Sequence, residues 1–164
     1  MIRPCAESEI AAISSIINEA AQAYRGVIPD DCWHEPYMAR SELLAEIAAG
    51  VGFSGWDESG RLIGVMGIQR VRDATLIRHA YVLPGHQGRG IGAALLTALL
   101  AQAGGPLLVG TWAAAEWAIG FYKRHGFRLV SADEKDRLLR TYWSIPLRQQ
   151  QVSVVLVRPH EPTP

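Results

Sequence analysis

The chain has 164 residues, of which 49% are hydrophobic and 20% charged, a composition that excludes an intrinsically disordered protein. Its 16 basic and 16 acidic side chains cancel, which argues against a general nucleic-acid-binding protein, because such proteins carry a basic excess. The two cysteines, Cys5 and Cys32, lack the spacing of a disulfide framework or a metal site. We expect a single domain over residues 1–158, a frayed tail over 159–164 and no bound metal.

The first half of the chain predicts two helices followed by strands. After a short strand at 2–4, apolar residues from Ser8 to Tyr24 recur every three or four positions, which is typical of an amphipathic helix. A loop over 25–37 precedes a second helix that ends at Ala49, before Gly50. From Val51 the pattern changes to strands, with a hairpin turn at 57–60 and strands over 62–72 and 75–83.

The second half alternates helices with strands. Its pattern predicts helices over 90–103 and 115–125, and strands over 107–111, 127–130 and 152–157. We therefore predict the α/β (α+β) class, with a mixed, mostly antiparallel central sheet of about six or seven strands flanked by about four helices.

Two features bear on the location of the protein. The N-terminus reaches acidic residues at once and has no apolar signal core. No residue from Gly90 to Ala115 is charged, but Gly104-Gly105-Pro106 divides this stretch with turn chemistry, which argues against a membrane span. We expect a cytoplasmic protein.

A glycine-rich turn between a strand and a helix is the densest signal in the sequence. Four glycines lie among the eight positions from Gly85 to Gly92, next to the cation of Arg89. Glycine allows the backbone to approach a ligand closely, and the amides that open a helix favour negative charge. The turn therefore predicts a phosphate-binding site.

Two common phosphate-binding patterns do not account for this turn. Gly88, Gly90 and Ala93 have the spacing of a dinucleotide fingerprint, but the turn follows an antiparallel meander and the next strand ends at Trp112 without an acidic residue. The Gly-Lys-Ser/Thr of a nucleotide triphosphatase loop is absent from the sequence.

Two motifs resemble those of the GCN5-related N-acetyltransferase (GNAT) superfamily. Gln87-x-x-Gly90-x-Gly92 is similar to the acetyl-CoA signature Gln/Arg-x-x-Gly-x-Gly/Ala of that family. The segment AIGFYKRHGF, residues 118–127, resembles its A-I-x-F-Y-x-x-x-G-F block. The resemblance covers roughly residues 2–130 and implies a GNAT fold. One departure is Ala115, which stands where many members have an asparagine.

The resemblance implies acetyl-CoA as the cofactor. In the family, two strands splay apart, the pantetheine arm lies in the gap, and the amides of the turn hold the pyrophosphate. The cofactor-binding residues so implied are Val82, Leu83, Gln87, Gly88, Arg89, Gly90, Ile91, Gly92 and Tyr122. The aligned tyrosine of the family protonates the departing thiolate, so Tyr122 is also the first catalytic candidate, with packing against Phe121 and Phe127 as the alternative.

The second catalytic candidate is His79, on the strand that leads into the turn. An alkylamine with a pKa of about 10 is mostly protonated at neutral pH, so a base must remove its proton. Histidine titrates near neutrality, although alternation along a strand also allows His79 to point into the core or away from the cleft. Glu116 and Glu35 are the other candidate bases.

In such folds the loop between the first two helices forms a wall of the acceptor site. Here it supplies Trp33, Glu35 and Tyr37 as substrate-binding candidates; a solvated acidic loop with one packed tryptophan is the alternative.

The charged residues are unevenly distributed along the chain. Residues 1–74 carry 6 basic and 11 acidic side chains, whereas residues 75–164 carry 10 and 5. This division suits an anionic cofactor and a cationic acceptor.

The sequence therefore predicts an acyl-CoA-dependent N-acyltransferase (EC 2.3.1 type) that acetylates a primary amine, that of a small molecule, by direct attack in a ternary complex. A protein N-terminal or lysine acetyltransferase and a non-catalytic acyl-CoA-sensing module are the alternatives. The expected partner is a small-molecule amine rather than nucleic acid or a membrane. A homodimer stays open, because dimerisation through the C-terminal strand is common in the family.

Overall fold

A computed structural model describes residues 1–160 of the chain. Seven strands form one sheet: β1 (Ile2–Pro4), β2 (Gly52–Glu58), β3 (Arg61–Val71), β4 (Ala74–Val82), β5 (Leu107–Trp112), β6 (Arg128–Leu129) and β7 (Ser153–Arg158). Six α-helices accompany the sheet: α1 (Ile10–Ala20), α2 (Arg40–Ala48), α3 (Ile91–Leu100), α4 (Glu116–Arg124), α5 (Ala132–Tyr142) and α6 (Leu147–Gln151). No helix within residues 1–160 is long and apolar enough to cross a membrane.

Local sequence explains where these elements end. The β2–β3 hairpin turns through Ser59 and Gly60, both at positive φ (54° and 84°), which is the geometry that a tight two-residue hairpin requires. Gly50 and Gly126 follow α2 and α4 at φ 108° and 85°, in the left-handed conformation that commonly terminates a helix. These turns were predicted at the same residues.

The sheet opens at one end between two of its central strands. The strand order is β1-β2-β3-β4-β5-β7-β6, and β4–β5 is the parallel pair. That pair joins Thr75 to Leu107, Leu76 to Leu108 and Ile77 to Val109, and it ends there although both strands continue. The second half of β4, from Arg78 to Val82, is therefore paired with β3 but not with β5. A gap between β4 and β5 follows from this early end of the pairing.

β4 also contains a β-bulge at the start of this unpaired half. Val65 pairs with Tyr81 and Gly67 pairs with Arg78, so two residues of β4, His79 and Ala80, lie opposite one residue of β3. His79 has a φ of 52°, which is the left-handed region. A bulge of this kind bends the strand and changes the direction of a side chain.

Helices cover both faces of the sheet. Gly64 and Gly67 of β3 are an odd number of positions apart and so point to opposite faces. A Cβ on Gly64 would lie 3.0 Å from Ile91 of α3, whereas a Cβ on Gly67 would lie 3.2 Å from Phe53. The Phe53 ring stacks on His79, which α2 contacts on the same face. α3 and α2 therefore lie on opposite faces, with α4 beside α3 and α1 beside α2.

The predicted α/β class and mixed sheet are confirmed, and two helices, α5 and α6, were not predicted. α5 buries only two residues, Leu138 and Leu139, within a mostly charged and polar segment. A start signal was present nonetheless: the Ser131 hydroxyl accepts a hydrogen bond from the Glu134 amide (3.2 Å), as in a capping box. Of the predicted frayed tail, residues 161–164 lie outside the described part of the chain.

Candidate active site

The glycine-rich turn leads directly into α3. Gly88 and Gly90 both have φ 77°, and a Cβ at either position would meet nothing within 4 Å, so the positive φ rather than crowding requires glycine there. The first hydrogen bond of the helix runs from the Ala94 N–H to the Gly90 carbonyl (3.0 Å). The amides of the preceding turn are therefore free to bind an anion at the positive end of the helix.

A cleft follows this turn on the α3–α4 face and continues into the gap between β4 and β5. We call it the glycine-turn cleft; its two connected parts have volumes of about 550 and 420 Å³. The parts share these lining residues: Val82, Gln87, Gly88, Gly92, Phe121 and Arg124. Arg124 brings a cation to both parts of the cleft.

The end of β4 offers backbone groups to this cleft. The Leu83 N–H donates to the Ile63 carbonyl of β3 (2.9 Å). Because successive residues of a strand direct their peptide groups to opposite edges, those of Val82 face the gap. The Val82 carbonyl accepts a hydrogen bond from Gln87 Nε2 (3.1 Å), which ties the turn to the strand.

The resemblance implied three cofactor-binding residues whose side chains do not reach the open part of the cleft. Leu83 is buried, and its amide is already bonded to β3. The Ile91 side chain is buried in the core beneath the turn. Arg89 is turned towards the β2–β3 hairpin, where its guanidinium contacts Glu58 at 2.6 Å and His86 Nδ1 at 2.8 Å. Ile91 and Arg89 could contribute to cofactor binding through their backbone amides, and Arg89 also through a rearranged side chain, whereas the Leu83 amide is already occupied.

A second cavity of about 270 Å³ lies on the α2 face of the same gap. We call it the aromatic cavity. Its wall is formed by α2, β4, β5, the segment after α5 and the segments that carry Tyr24 and Tyr37. The aromatic and charged residues of the lining are Tyr24, Tyr37, Tyr81, Trp112, Trp143, Glu42, Glu46, Arg78 and His79. Acidic and aromatic groups together suit a cationic ligand.

Tyrosines separate the two cavities. Tyr24 and Tyr81 line both of them, and the Tyr24 ring lies 5.4 Å from that of Tyr37 and 6.4 Å from that of Tyr81. The Tyr37 hydroxyl accepts a hydrogen bond from Trp112 Nε1 (2.8 Å). Burial raises the pKa of Tyr81 well above its ordinary value, and the neighbouring Tyr24 and Tyr37 raise it further. All three hydroxyls therefore stay protonated at neutral pH.

The two catalytic candidates lie on opposite sides of this boundary. His79 lines the aromatic cavity, and its ring contacts the Glu46 carboxylate. Tyr122 lines the glycine-turn cleft and packs edge-on against Phe121 and Phe127 at 5.1 and 5.4 Å. Its burial raises the pKa of Tyr122, which keeps the hydroxyl a proton donor. The catalytic and packing interpretations of Tyr122 are therefore compatible.

Only one of the three substrate-binding candidates lines the aromatic cavity. Tyr37 is part of its wall, and Trp33 packs on Tyr37 with ring centroids 5.8 Å apart. Glu35 is exposed and accepts a weak hydrogen bond from Gln22 Nε2 at 3.4 Å. Glu116, a candidate base, lies exposed at the start of α4. The acidic groups of the cavity are instead Glu42 and Glu46 of α2.

A family comparison connects this geometry to known proteins. Residues 50–129, which include β2 to β6 and the glycine-rich turn, match the acetyltransferase (GNAT) domain. This segment is a GNAT domain. A comparison with the sequences of curated proteins found no match.

Solved structures of GNAT proteins have the same fold. PaiA N-acetyltransferase from Thermoplasma acidophilum, in complex with coenzyme A, superposes with a TM-score of 0.72 over 98% of both chains at 16% identity. The ribosomal-protein-S18-alanine N-acetyltransferase from Escherichia coli gives 0.69 at 16% identity, over 97% of this chain and 92% of that one. N-acetylglutamate synthase from Neisseria gonorrhoeae, complexed with coenzyme A and N-acetyl-glutamate, gives 0.67 at 22% identity, over 98% of this chain and 35% of that one.

The departure from the GNAT pattern at Ala115 has a structural setting. Ala115 is completely buried at the start of α4, in a small apolar cluster with Ile28, Cys32 and Trp112. An asparagine side chain would place a polar amide in that cluster, at the cost of desolvation. This part of the GNAT fold here supports the wall of the aromatic cavity.

Several residues of this GNAT site were not found by sequence reasoning. Glu46 and Tyr24 lie on or after helices far from the motifs, and Trp117 (49% exposed) stacks on Tyr24 at 5.8 Å beside the glycine-turn cleft. Tyr81 was passed over although it lies beside Val82 in the strand. An exposed tryptophan such as Trp117 next to a binding motif was the one local signal available.

Proposed function

We propose that this GNAT protein transfers the acetyl group of acetyl-CoA to a primary amine of a small molecule. The observation that carries the proposal is the pair of cavities that meet at the gap between β4 and β5, with Tyr24 and Tyr81 in the wall of both. Two ligands bound from opposite faces of the sheet would bring their reactive ends together there. Direct transfer in one ternary complex needs such an arrangement.

Acetyl-CoA fits the glycine-turn cleft by the chemistry of its lining. Amides at the start of α3 and the Arg124 guanidinium suit a pyrophosphate, and the edge of β4 at Val82 suits the amide groups of pantetheine. Two of the similar structures, those of PaiA N-acetyltransferase and N-acetylglutamate synthase, are complexes with coenzyme A. Bound acetyl-CoA supplies the activated acetyl thioester.

The residues at the boundary would move two protons. His79 takes a proton from the ammonium form of the acceptor, which frees the nitrogen lone pair for attack on the acetyl carbonyl. Tyr122 donates a proton towards the sulfur that leaves. Overall, an ammonium ion and a thioester give an amide, a thiol and one proton released to solvent.

The acceptor cavity favours a small cationic amine over a protein. A volume of about 270 Å³ lined by three tyrosines and two tryptophans suits a compact ligand, and Glu42 and Glu46 complement positive charge. The similarity to a ribosomal-protein-alanine N-acetyltransferase is one of fold and keeps an N-terminal peptide as the second candidate.

An acceptor screen tests the proposal. The full chain is incubated with acetyl-CoA and a panel of alkylamines, amino acids and peptides with free N-termini, with release of thiol and product mass as the readouts. We expect acetylation of a small cationic amine. A peptide as the best acceptor would favour the second candidate, anionic amines as the best acceptors would contradict the charge argument, and binding of acetyl-CoA without turnover on any acceptor would favour a sensor.

The Tyr122→Phe variant tests the assigned proton donor. We expect its turnover number to fall about 100-fold, since general acid catalysis contributes on that order, while the dissociation constant for CoA stays within about twofold. The ring packing against Phe121 and Phe127 is retained in this variant. Equal losses in turnover and CoA binding would contradict the role.

A further inference from the structure

His79 has an unusual backbone conformation. The inference drawn from it rests on the proposed function. Its φ of 52° lies in the left-handed region, where residues other than glycine are uncommon, and it occupies the bulge of β4. Strained residues of this kind persist where the surrounding structure holds them, and they cluster at functional sites. The neighbours of His79 are therefore informative.

Glu46 of α2 contacts the imidazole, and Arg78 in turn contacts Glu46. One carboxylate oxygen of Glu46 contacts His79 Nε2, and the other accepts a hydrogen bond from Arg78 at 3.0 Å. Arg78 also donates to Gln69 Oε1 on β3 at 2.9 Å. Phe53 stacks on the far face of the ring, with centroids 6.1 Å apart. The carboxylate and the imidazole are thus fixed relative to one another.

We propose that Glu46 is a positioning residue that keeps the neutral His79 protonated on Nε2, so that Nδ1 is the nitrogen that accepts the proton of the acceptor amine. An N–H bond of the acceptor breaks and an Nδ1–H bond forms. The positive charge then on the imidazolium is balanced by Glu46, which stays ionised throughout. Atoms and charge balance without any further reactant.

The carboxylate itself is a poor alternative base. Burial acts to raise the pKa of Glu46, but the hydrogen bond from His79 and the nearby positive charge of Arg78 oppose it, and the pKa lies below its usual value. An ionised carboxylate with a low pKa has little tendency to remove a proton from an amine at neutral pH. Glu46 therefore affects proton transfer through the His79 ring and does not itself remove the proton.

The charged and titratable groups that line the aromatic cavity with His79 come from several elements. They are Glu42 and Glu46 of α2, Arg78 and Tyr81 of β4, Tyr24 after α1, and Cys32 and Tyr37 before α2. The tyrosines Tyr37 and Tyr81 have raised pKa values because they are buried, so they are neutral in the range where an imidazole titrates. The carboxylates and Arg78 therefore set the local electrostatics.

A matched pair of variants separates positioning from simple loss of charge. Glu46→Gln removes the carboxylate that contacts His79, and Glu42→Gln removes the same charge from the same helix and the same cavity, one turn earlier. The first readout is the imidazole ¹⁵N spectrum of the full chain without ligands. We expect a single tautomer with the proton on Nε2 in the wild type and in Glu42→Gln, and a mixture of tautomers in Glu46→Gln, because an amide can either donate or accept.

The second readout is kcat at pH 7 for the acceptor found in the screen. In Glu46→Gln we expect kcat about tenfold lower, because the imidazole is no longer held in one tautomer and the imidazolium loses the charge that balances it. The KM for acetyl-CoA should not change. In Glu42→Gln the loss of kcat should be smaller, because the contact with the imidazole comes from Glu46.

Each outcome has a definite meaning. A mixture of tautomers in the wild-type protein, or equal losses of kcat in the two variants, would overturn the proposal. So would a His79→Gln variant with wild-type activity. If Glu46→Gln does not fold, the wild-type spectrum still decides. If no amine is acetylated, the proposed function fails, while the spectra continue to test the Glu46–His79 pair.

Discussion

The two cavities that meet between β4 and β5 are built from different kinds of groups. The glycine-turn cleft combines a contiguous segment with a local glycine pattern, from Val82 to Gly92, with one face of α4 and with residues of β3, β4 and the end of α1. The aromatic cavity is lined by side chains from four regions that lie far apart in the chain. A diphosphate can be recognised by a local backbone pattern, whereas the wall of the second cavity exists only after the chain has folded.

This difference predicts how the two cavities respond to substitution. Changes in the turn should act on cofactor binding alone and depend on backbone conformation. Changes in the aromatic cavity should act on the acceptor and depend on side-chain contacts that cross the sheet. Three variants, two of them with a comparison variant, test this division, and the effects that we expect of the three decrease in the order given.

Gly90→Glu should produce the largest effect. It forces a side chain into a left-handed position and adds a negative charge at the start of α3, where the pyrophosphate is proposed to bind. We expect CoA affinity to fall by about 100-fold or more, measured by calorimetric titration.

Gly85→Glu is the matched control for that experiment. It adds the same charge in the short helical turn of residues 84–86, at a position with no positive φ and nothing within 4 Å of the added Cβ. It should bind CoA nearly as the wild type does. Retained binding in Gly90→Glu would mean that the phosphate groups lie elsewhere.

Tyr37→Phe should have an intermediate effect on the other side of the gap. It leaves the buried Trp112 indole N–H without its acceptor and changes the polarity of the aromatic cavity. We expect the free energy of unfolding to fall by about 1 kcal/mol and the KM for the amine to rise about fivefold. The affinity for CoA should be unchanged, and a matching loss of CoA binding would break the division between the cavities.

Arg89→Gln should have the smallest effect, although Arg89 lies within the glycine-rich motif. Its guanidinium is half exposed and paired with Glu58 on the β2–β3 hairpin, so we expect CoA affinity to change less than about threefold. Arg124→Gln, which removes a cation from the cleft itself, should weaken CoA binding about tenfold. The reverse order would show that Arg89 leaves Glu58 when the cofactor binds.

The sequence was sufficient for the elements that carry local signals. The turn at Ser59 and Gly60, the helix ends at Gly50 and Gly126 and the glycine-rich turn all depend on backbone conformations that particular residues favour. The pattern was insufficient for α5, because its apolar stripe is short, and for the Glu46–His79 contact, because 33 residues separate its partners. A pair of residues so far apart leaves no periodic pattern in the sequence. The β-bulge that turns His79 towards Glu46 depends on the pairing of β4 with β3.

The early end of the β4–β5 pairing has a kinetic consequence. A continuous sheet is a barrier, but this one contains an opening that begins after Ile77 and Val109, and the two cavities reach it from opposite faces. With the cofactor and the acceptor in the two cavities as proposed, each ligand would have its own entrance, and the arrival of one would not block the path of the other. Substrates could load in either order, and the two products could depart by separate exits without exchanging places.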